Sequence, residues 1–263
     1  MDLQLTDKIV VVTGGSSGIG LAAVRGFLDA GARVAFCARG AERLNTAYAA
    51  LQTEYGSERV YAAALSVLDK EAVADFASKV ADRFGGCDGL ITNAGQGRVS
   101  TFADTSDEAW REELELKFFS QIHPIRAFET MLKNSSAGAI VGVNSLLAYQ
   151  PEPHMVCTSA ARSGVQNLLK SLAGELAPAI RVNSIVLGLV DSQQWQRRFD
   201  NREDKSVSRE SWYANLAASK KIPLGRLGQP EEAARALIFL ASPAASYITG
   251  AQLEISGGVS RFV

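Results

Sequence analysis

The stretch Thr13-Gly14-Gly15-Ser16-Ser17-Gly18-Ile19-Gly20 has the residue types and spacing to hold a dinucleotide. It follows a β-like run, Lys8–Thr13, and opens a helical pattern. Each glycine has its own task. Gly14 permits the tight turn, Gly18 lets main chain approach a pyrophosphate, and Gly20 lets the helix pack closely on the sheet. The N–H groups and positive dipole end of that helix then face phosphate. Ser16, Ser17 and Ile19 fill out the turn, and Ser16 offers a hydroxyl contact. Ala38 and Arg39 close the second β-like run. A site for NAD wants Asp or Glu there to take the ribose 2′-hydroxyl. With no acid present, the Arg39 guanidinium suits a 2′-phosphate by charge and bidentate geometry, so the cofactor reading is NADP(H).

A second group of residues could move a proton. Thr158 and Arg162 lie four apart in a helical pattern and so share a face. Arg162 can hydrogen-bond a ribose diol. Thr158 can orient a carbonyl or pass a proton, but its hydroxyl is a poor acid. His154 lies one turn earlier and carries an imidazole, a side chain suited to acid–base work. Tyr149 offers a phenol in a nearby loop. Cys157 has no evident activating base and reads as packing, and mid-helix His123 reads as structural.

β-like runs alternate with helical patterns along the chain: Lys8–Thr13, Arg33–Cys37, Val60–Leu65, Gly89–Thr92, Ala139–Val143, Arg181–Val186 and Ala251–Ile255 are the strands. Between them lie helices over Gly18–Ala30, Ala41–Tyr55, the stretch capped by Asp69, Asp107–Lys133, His154–Leu176 and Pro230–Ala241. Pro124 is expected to kink the fourth. This alternation predicts a single α/β Rossmann-fold domain over residues 1–263. Its sheet is parallel and doubly wound, with helices on both faces and ligand at the carboxyl ends of the strands.

Composition narrows the function class. A length of 263 residues and 47% hydrophobic content suit one large core, and a net charge of −1 gives no general pull toward nucleic acid or anionic lipid. No apolar run is long enough for a membrane span. The start Met1-Asp2-Leu3-Gln4 carries no signal-peptide pattern. Cys37, Cys87 and Cys157 are few and scattered, which predicts neither disulfides nor a metal site and fits a reducing cytoplasm.

With Asn93-Ala94-Gly95, Ser145, Arg181-Val182-Asn183, Pro223 through Glu232 and Ile248-Thr249-Gly250 added to the glycine turn, the chain resembles the short-chain dehydrogenase/reductase family over nearly its full length. The resemblance implies seven parallel strands, a nicotinamide cofactor, a small-molecule substrate and a homo-oligomer, dimer or tetramer. By position it places Asn93, Ala94 and Gly95 at the adenine ribose and Val67 near adenine. Gly188, Val190 and Ser192 fall near the nicotinamide.

The family usually runs an Asn–Ser–Tyr–Lys active site. Ser145 lies thirteen residues before Thr158, the family's spacing from Ser to Tyr, and the segment from Ser171 to Pro178 matches the helix after the family's Lys. Thr158 therefore takes the Tyr position and Arg162 the Lys position. Trp110 and Leu114 set a register that puts Lys117 at the Asn position. Ser145 alone is kept. Leu187, Ser66 and Ser256 also stand where Pro, Asp and Asp are usual.

If the Lys117 ammonium faces Arg162, like charge lowers its pKa toward neutrality and makes it a usable general acid. Lys117 then supplies the proton while Ser145 and Thr158 polarise the substrate. Residues 191–222 read as a substrate lid, with Trp195, Phe199, Trp212 and Tyr213 among Arg197, Arg198 and Arg202. The leading function is an NADP(H)-dependent oxidoreductase acting on a carbonyl or alcohol. The alternative is an NADP(H)-binding sensor or assembly protein without turnover. Relatives that carry Arg at the Lys position and eliminate halide keep the Tyr and lose the glycine turn, the reverse of this chain.

Overall fold

The computed structural model describes residues 2–261, without the side chains of residues 193, 194 and 197. Seven strands form one all-parallel sheet in the order β3-β2-β1-β4-β5-β6-β7. They are β1 (Ile9–Thr13), β2 (Arg33–Ala38), β3 (Val60–Ala64), β4 (Gly89–Thr92), β5 (Ala139–Ser145), β6 (Arg181–Leu187) and β7 (Gln252–Ile255). The strand order reverses between β1 and β4, so the loops after those strands diverge and open a crevice there.

Two core clusters fill the two faces of the sheet. One packs α1 (Gly18–Asp29) and α8 (Pro230–Ala241) through Val24, Phe27, Leu237 and Leu240. The other packs α3 (Lys70–Phe84), α4 (Asp107–Asn134) and α5 (Val156–Glu175) through Phe76, Val80, Phe128 and Leu169. α2 (Ala41–Tyr55) flanks β3. As the sequence leads one to expect, the Asp69 side chain caps α3, accepting from Ala72 N–H at 2.9 Å.

One helix start differs from the expectation. The fifth helix begins at Val156, not His154. Ser100 claims the preceding main chain: Ser100 N–H donates to the His154 carbonyl and Val156 N–H to the Ser100 carbonyl, at 2.9 and 3.1 Å. α4 continues as one helix from Asp107 to Asn134 with buried Pro124 inside it. Among the described residues no helix is long and apolar enough to cross a membrane.

Candidate active site

The glycine turn is clamped from two sides. Gly14 N–H and Gly15 N–H donate to the Cys37 carbonyl of β2 at 2.8 and 3.1 Å. From the other side the Asn93 side-chain amide donates to the carbonyls of Thr13 and Gly14 at 3.0 and 3.2 Å. The Thr13 hydroxyl accepts from the Asn93 and Ala94 N–H groups, both at 3.0 Å. Asn93 thus shapes the turn as well as lying beside it.

The glycine tasks can now be assigned from geometry. Gly14 and Gly18 hold φ of +70° and +53°, the left-handed region glycine favours. A Cβ on Gly20 would lie 2.2 Å from the Gly14 carbonyl oxygen and 2.6 Å from Asn93 Nδ2. Gly20 therefore lets the start of α1 lie close against the main chain that leaves β1 and the Asn93 side chain that follows β4. Gly15 was passed over, yet its Cβ would collide with Phe36 at 2.7 Å.

The turn fits a phosphate-bearing cofactor. Ser17 is the N-cap of α1 but its side chain makes no capping bond, and a Cβ on Gly18 would meet nothing within 4 Å. The first-turn N–H groups are thus left to an external acceptor. Arg39 stands exposed just past β2, with no acid beside it in sequence. Val67 lies buried in the second core cluster, and its carbonyl accepts from His123 Nδ1 at 3.2 Å. That bond and a 5.0 Å ring contact with Phe119 fix His123 in a structural role.

A cavity of about 480 Å³ opens at the carboxyl ends of β5 and β6. It gathers Ile19 of the turn with Ser145, Thr158, Arg162, Gly188, Val190 and Ser192. Ser145 ends β5, and its hydroxyl accepts from Leu147 N–H at 3.3 Å. Gly188 N–H donates to the Ile255 carbonyl at 3.0 Å, and a Cβ there would lie 2.9 Å from Ser256. Val190, which lines the cavity, pairs with Gly228 in a short bridge, so Gly228 braces this wall from behind.

Arg162 donates through Nη1 to the Val143 carbonyl at 2.8 Å. Its buried Nε has no hydrogen-bond partner among the described residues, while a Cβ on Gly95 would lie 3.8 Å from its other terminal nitrogen. Burial lowers its pKa to about 10, with Glu113 opposing. An arginine with an unused buried donor beside the cavity suits a ribose diol. Asn144 fixes the helix behind it, donating to the Arg162 carbonyl at 3.1 Å and to Gln166 Oε1 at 2.8 Å.

Lys117 is placed differently from the rest. It is 2% exposed and absent from the described residues that line the cavity. Its ammonium donates to Glu113 Oε1 at 2.6 Å and to the Gln96 carbonyl. Burial lowers its pKa to about 8, Arg162 adds to the fall, and Glu113 opposes it. The expected repulsion from Arg162 is present but second to desolvation. The Thr158 hydroxyl donates to the same Glu113 oxygen and accepts from Arg98 N–H at 3.1 Å.

Glu113, 2% exposed, was missed in the sequence. Its signal was there: it sits four residues before Lys117 on the same helix face.

The other proton candidates fall away or lie at the rim. Tyr149 is exposed and outside the described lining, and its partial burial raises its phenol pKa. His154 lines the cavity but stays half exposed, 3.7 Å from Glu152. Cys157 is buried against the Ser100 hydroxyl at 3.0 Å.

The 191–222 segment folds as α6 (Gln193–Asp200) and α7 (Arg209–Ser219). Of its aromatic and arginine residues with described side chains, only Trp195 and Arg198 line the cavity. The rest hold the segment together. Phe199 and Tyr213 pack on Trp212 at 5.8 and 5.4 Å, and Arg202 donates to the carbonyls of Phe199 and Val207 at 2.6 and 2.9 Å. The Arg197 side chain lies outside the described residues.

Residues 14–260 match the family model described as enoyl-(acyl carrier protein) reductase. Acetoacetyl-CoA reductase from Synechocystis is 32% identical over 259 residues, 98% of each chain. This chain belongs to the short-chain dehydrogenase/reductase family. Among solved structures, L-sorbose reductase from Gluconobacter frateurii, complexed with NADPH and L-sorbose, superposes with a TM-score of 0.94 at 31% identity and full coverage of both chains. A short-chain oxidoreductase from Pseudomonas aeruginosa, described as containing an atypical catalytic centre, is nearer in sequence. Its NADPH-bound form is 55% identical, with a TM-score of 0.92 and coverage of 98% of this chain and 100% of that one.

Proposed function

We propose that this protein is an NADP(H)-dependent carbonyl reductase or alcohol dehydrogenase whose proton chemistry runs on Lys117, Ser145, Thr158 and Arg162. One observation carries the reading: Ser145, Thr158 and Arg162 line the same cavity as Ile19 of the dinucleotide turn and Gly188, Val190 and Ser192. Two further supports come from relatives of the same fold that hold NADPH. When bound, the cofactor supplies the hydride.

The turn Gly14–Gly20 holds the phosphates, and Arg39 takes the 2′-phosphate. Asn93, Ala94, Gly95 and Val67 flank the adenosine. Arg162 holds the nicotinamide ribose and lends positive charge. Ser145 and Thr158 hold the substrate oxygen by hydrogen bonds. Lys117 is the proton reservoir: an ammonium with a pKa near 8 gives up a proton near neutrality far more readily than an ordinary lysine.

Residues 191–222 form the substrate-facing cover, with Trp195 as its apolar contact. Arg198, Lys220, Lys221 and Arg261 line the cavity against one carboxylate, Glu152, among the described lining residues. The substrate therefore carries negative charge. A homo-oligomer fits the exposed Leu253 on edge strand β7 and the exposed Leu114 and Phe119 on α4.

The test is NADPH oxidation, followed by absorbance, across ketones, aldehydes and 3-oxo acids. Turnover supports the reading. Tight NADPH binding with no turnover favours a sensor, a role that the enclosure of Lys117 by Glu113 and Gln96 also fits.

A further inference from the structure

Lys117 is buried away from the cavity, yet the cavity is where a proton is consumed. One oxygen joins the two. Glu113 Oε1 accepts from the Lys117 ammonium at 2.6 Å and from the Thr158 hydroxyl, and Thr158 lines the cavity. All three side chains are at most 2% exposed. The Gln96 carbonyl and the main chain of Arg98 complete the enclosure. No sequence feature of a nicotinamide site demands a carboxylate here, and a buried carboxylate costs desolvation wherever it is placed.

We propose that Glu113 is a positioning residue of the active site, the link through which the Lys117 proton reaches the substrate by way of Thr158. The inference rests on the carbonyl-reductase reading. It gives Thr158 a task suited to an aliphatic hydroxyl: passing a proton on, not generating one.

The bonds balance as follows. Hydride from a reduced nicotinamide arrives at the carbonyl carbon and leaves an alkoxide. The Thr158 O–H bond breaks and its proton joins that alkoxide, giving alcohol. Glu113 passes a proton to the Thr158 oxygen and receives one from Lys117, whose N–H bond breaks. The ammonium ends as an amine and recovers its proton from water.

Besides burial, three charged or titratable groups set the Lys117 proton affinity. They are Glu113 on its own helix and Arg162 and Cys157 on α5; Arg98, in the facing loop, turns its guanidinium outward to Glu112 at 2.5 Å. Glu113 is the anion that supports the ammonium. Removing it weakens the acid's protonated form and breaks the path together.

The decisive variant is Glu113→Gln, near-isosteric and able to keep a hydrogen bond. Titration of the Lys117 side chain is followed by NMR on lysine-labelled protein saturated with NADP+. Its midpoint is expected to fall by at least about one pH unit. An unmoved midpoint overturns the inference whether or not any substrate turns over.

With a turned-over carbonyl, E113Q is expected to lower kcat at least about 100-fold and to move the alkaline limb of its pH profile downward. E113D is expected to restore part of both. A uniform loss with the limb unmoved and no rescue by E113D marks a merely structural carboxylate and overturns the relay. Wild-type protein that oxidises no NADPH, with the NMR midpoint moved as expected, overturns the reductase reading and the relay with it.

Discussion

Replacing Lys117 with Met removes the proposed acid and keeps most of the length of its unbranched side chain. With a pKa of about 8, Lys117 is almost wholly ammonium near pH 7 and half deprotonated near pH 8. Near pH 9 roughly one molecule in ten retains the proton, and near pH 10 roughly one in a hundred. Wild-type kcat for reduction is therefore expected to fall about tenfold from pH 7 to pH 9. An ordinary lysine would leave it nearly flat over that range. K117M is expected to lose about 100- to 10,000-fold at pH 7 and to show no such limb. Its NADPH affinity is expected to hold, because Lys117 is not among the described residues lining the cavity.

Stability supplies an independent readout with a definite sign. The folded pKa is lowered, so between about pH 8 and the unfolded value of 10.5 the unfolded chain keeps a proton that the folded chain has shed. The Lys117 contribution to stability thus rises with pH across that window. It is on the order of 3 kcal/mol at full extent. Wild type minus K117M, measured by denaturant unfolding from pH 8 to pH 10, is expected to climb accordingly. K117M leaves Glu113 buried without its cation, so the double variant K117M/E113Q separates loss of the acid from damage to the pair. K117M that keeps kcat within threefold of wild type, together with its alkaline limb, refutes Lys117 as the acid.

Gly20→Ala places a methyl 2.2 Å from the Gly14 carbonyl oxygen. It is expected to cost about 1–3 kcal/mol of stability and to weaken NADPH binding by calorimetry, and an unchanged Kd would refute the account of the turn. Arg39→Ala is expected to weaken NADPH about 10- to 100-fold and to leave NADH unchanged, since a charge-assisted hydrogen bond to phosphate contributes about 1.5–3 kcal/mol. Equal losses for both cofactors would remove Arg39 from 2′-phosphate recognition. Lys221 holds a left-handed φ of +54°, which glycine adopts freely. Lys221→Gly is expected to keep stability within about 1 kcal/mol and to raise KM about two- to fivefold for a 3-oxo acid but not for its methyl ester. A like change for both would show that the cavity does not read charge.

The dinucleotide half of this protein was legible in the chain because its determinants are local. A β run, a glycine turn and a helix start lie within about a dozen consecutive residues, and strand–helix alternation leaves few parallel topologies. The absence of an acid beside Arg39 was local in the same way. Helix spacing alone gave Thr158 and Arg162 a shared face, and it was the family resemblance that set Ser145 beside them; all three line one cavity.

Tertiary structure decided what those residues meet. The start of α5 moved to Val156 because Ser100, more than fifty residues earlier, bonds the main chain on either side of Met155. Most lid aromatics turned to one another rather than to the cavity, since sequence shows that they are apolar but not where they find partners. Lys117 could be read as a candidate acid, but its burial, its lowered pKa and its link to Thr158 depend on Glu113, Gln96 and Arg98. These residues come from a helix and a loop that meet only in the folded chain. Desolvation and charge proximity act through space, and that is why sequence named the groups while only the fold set their chemistry.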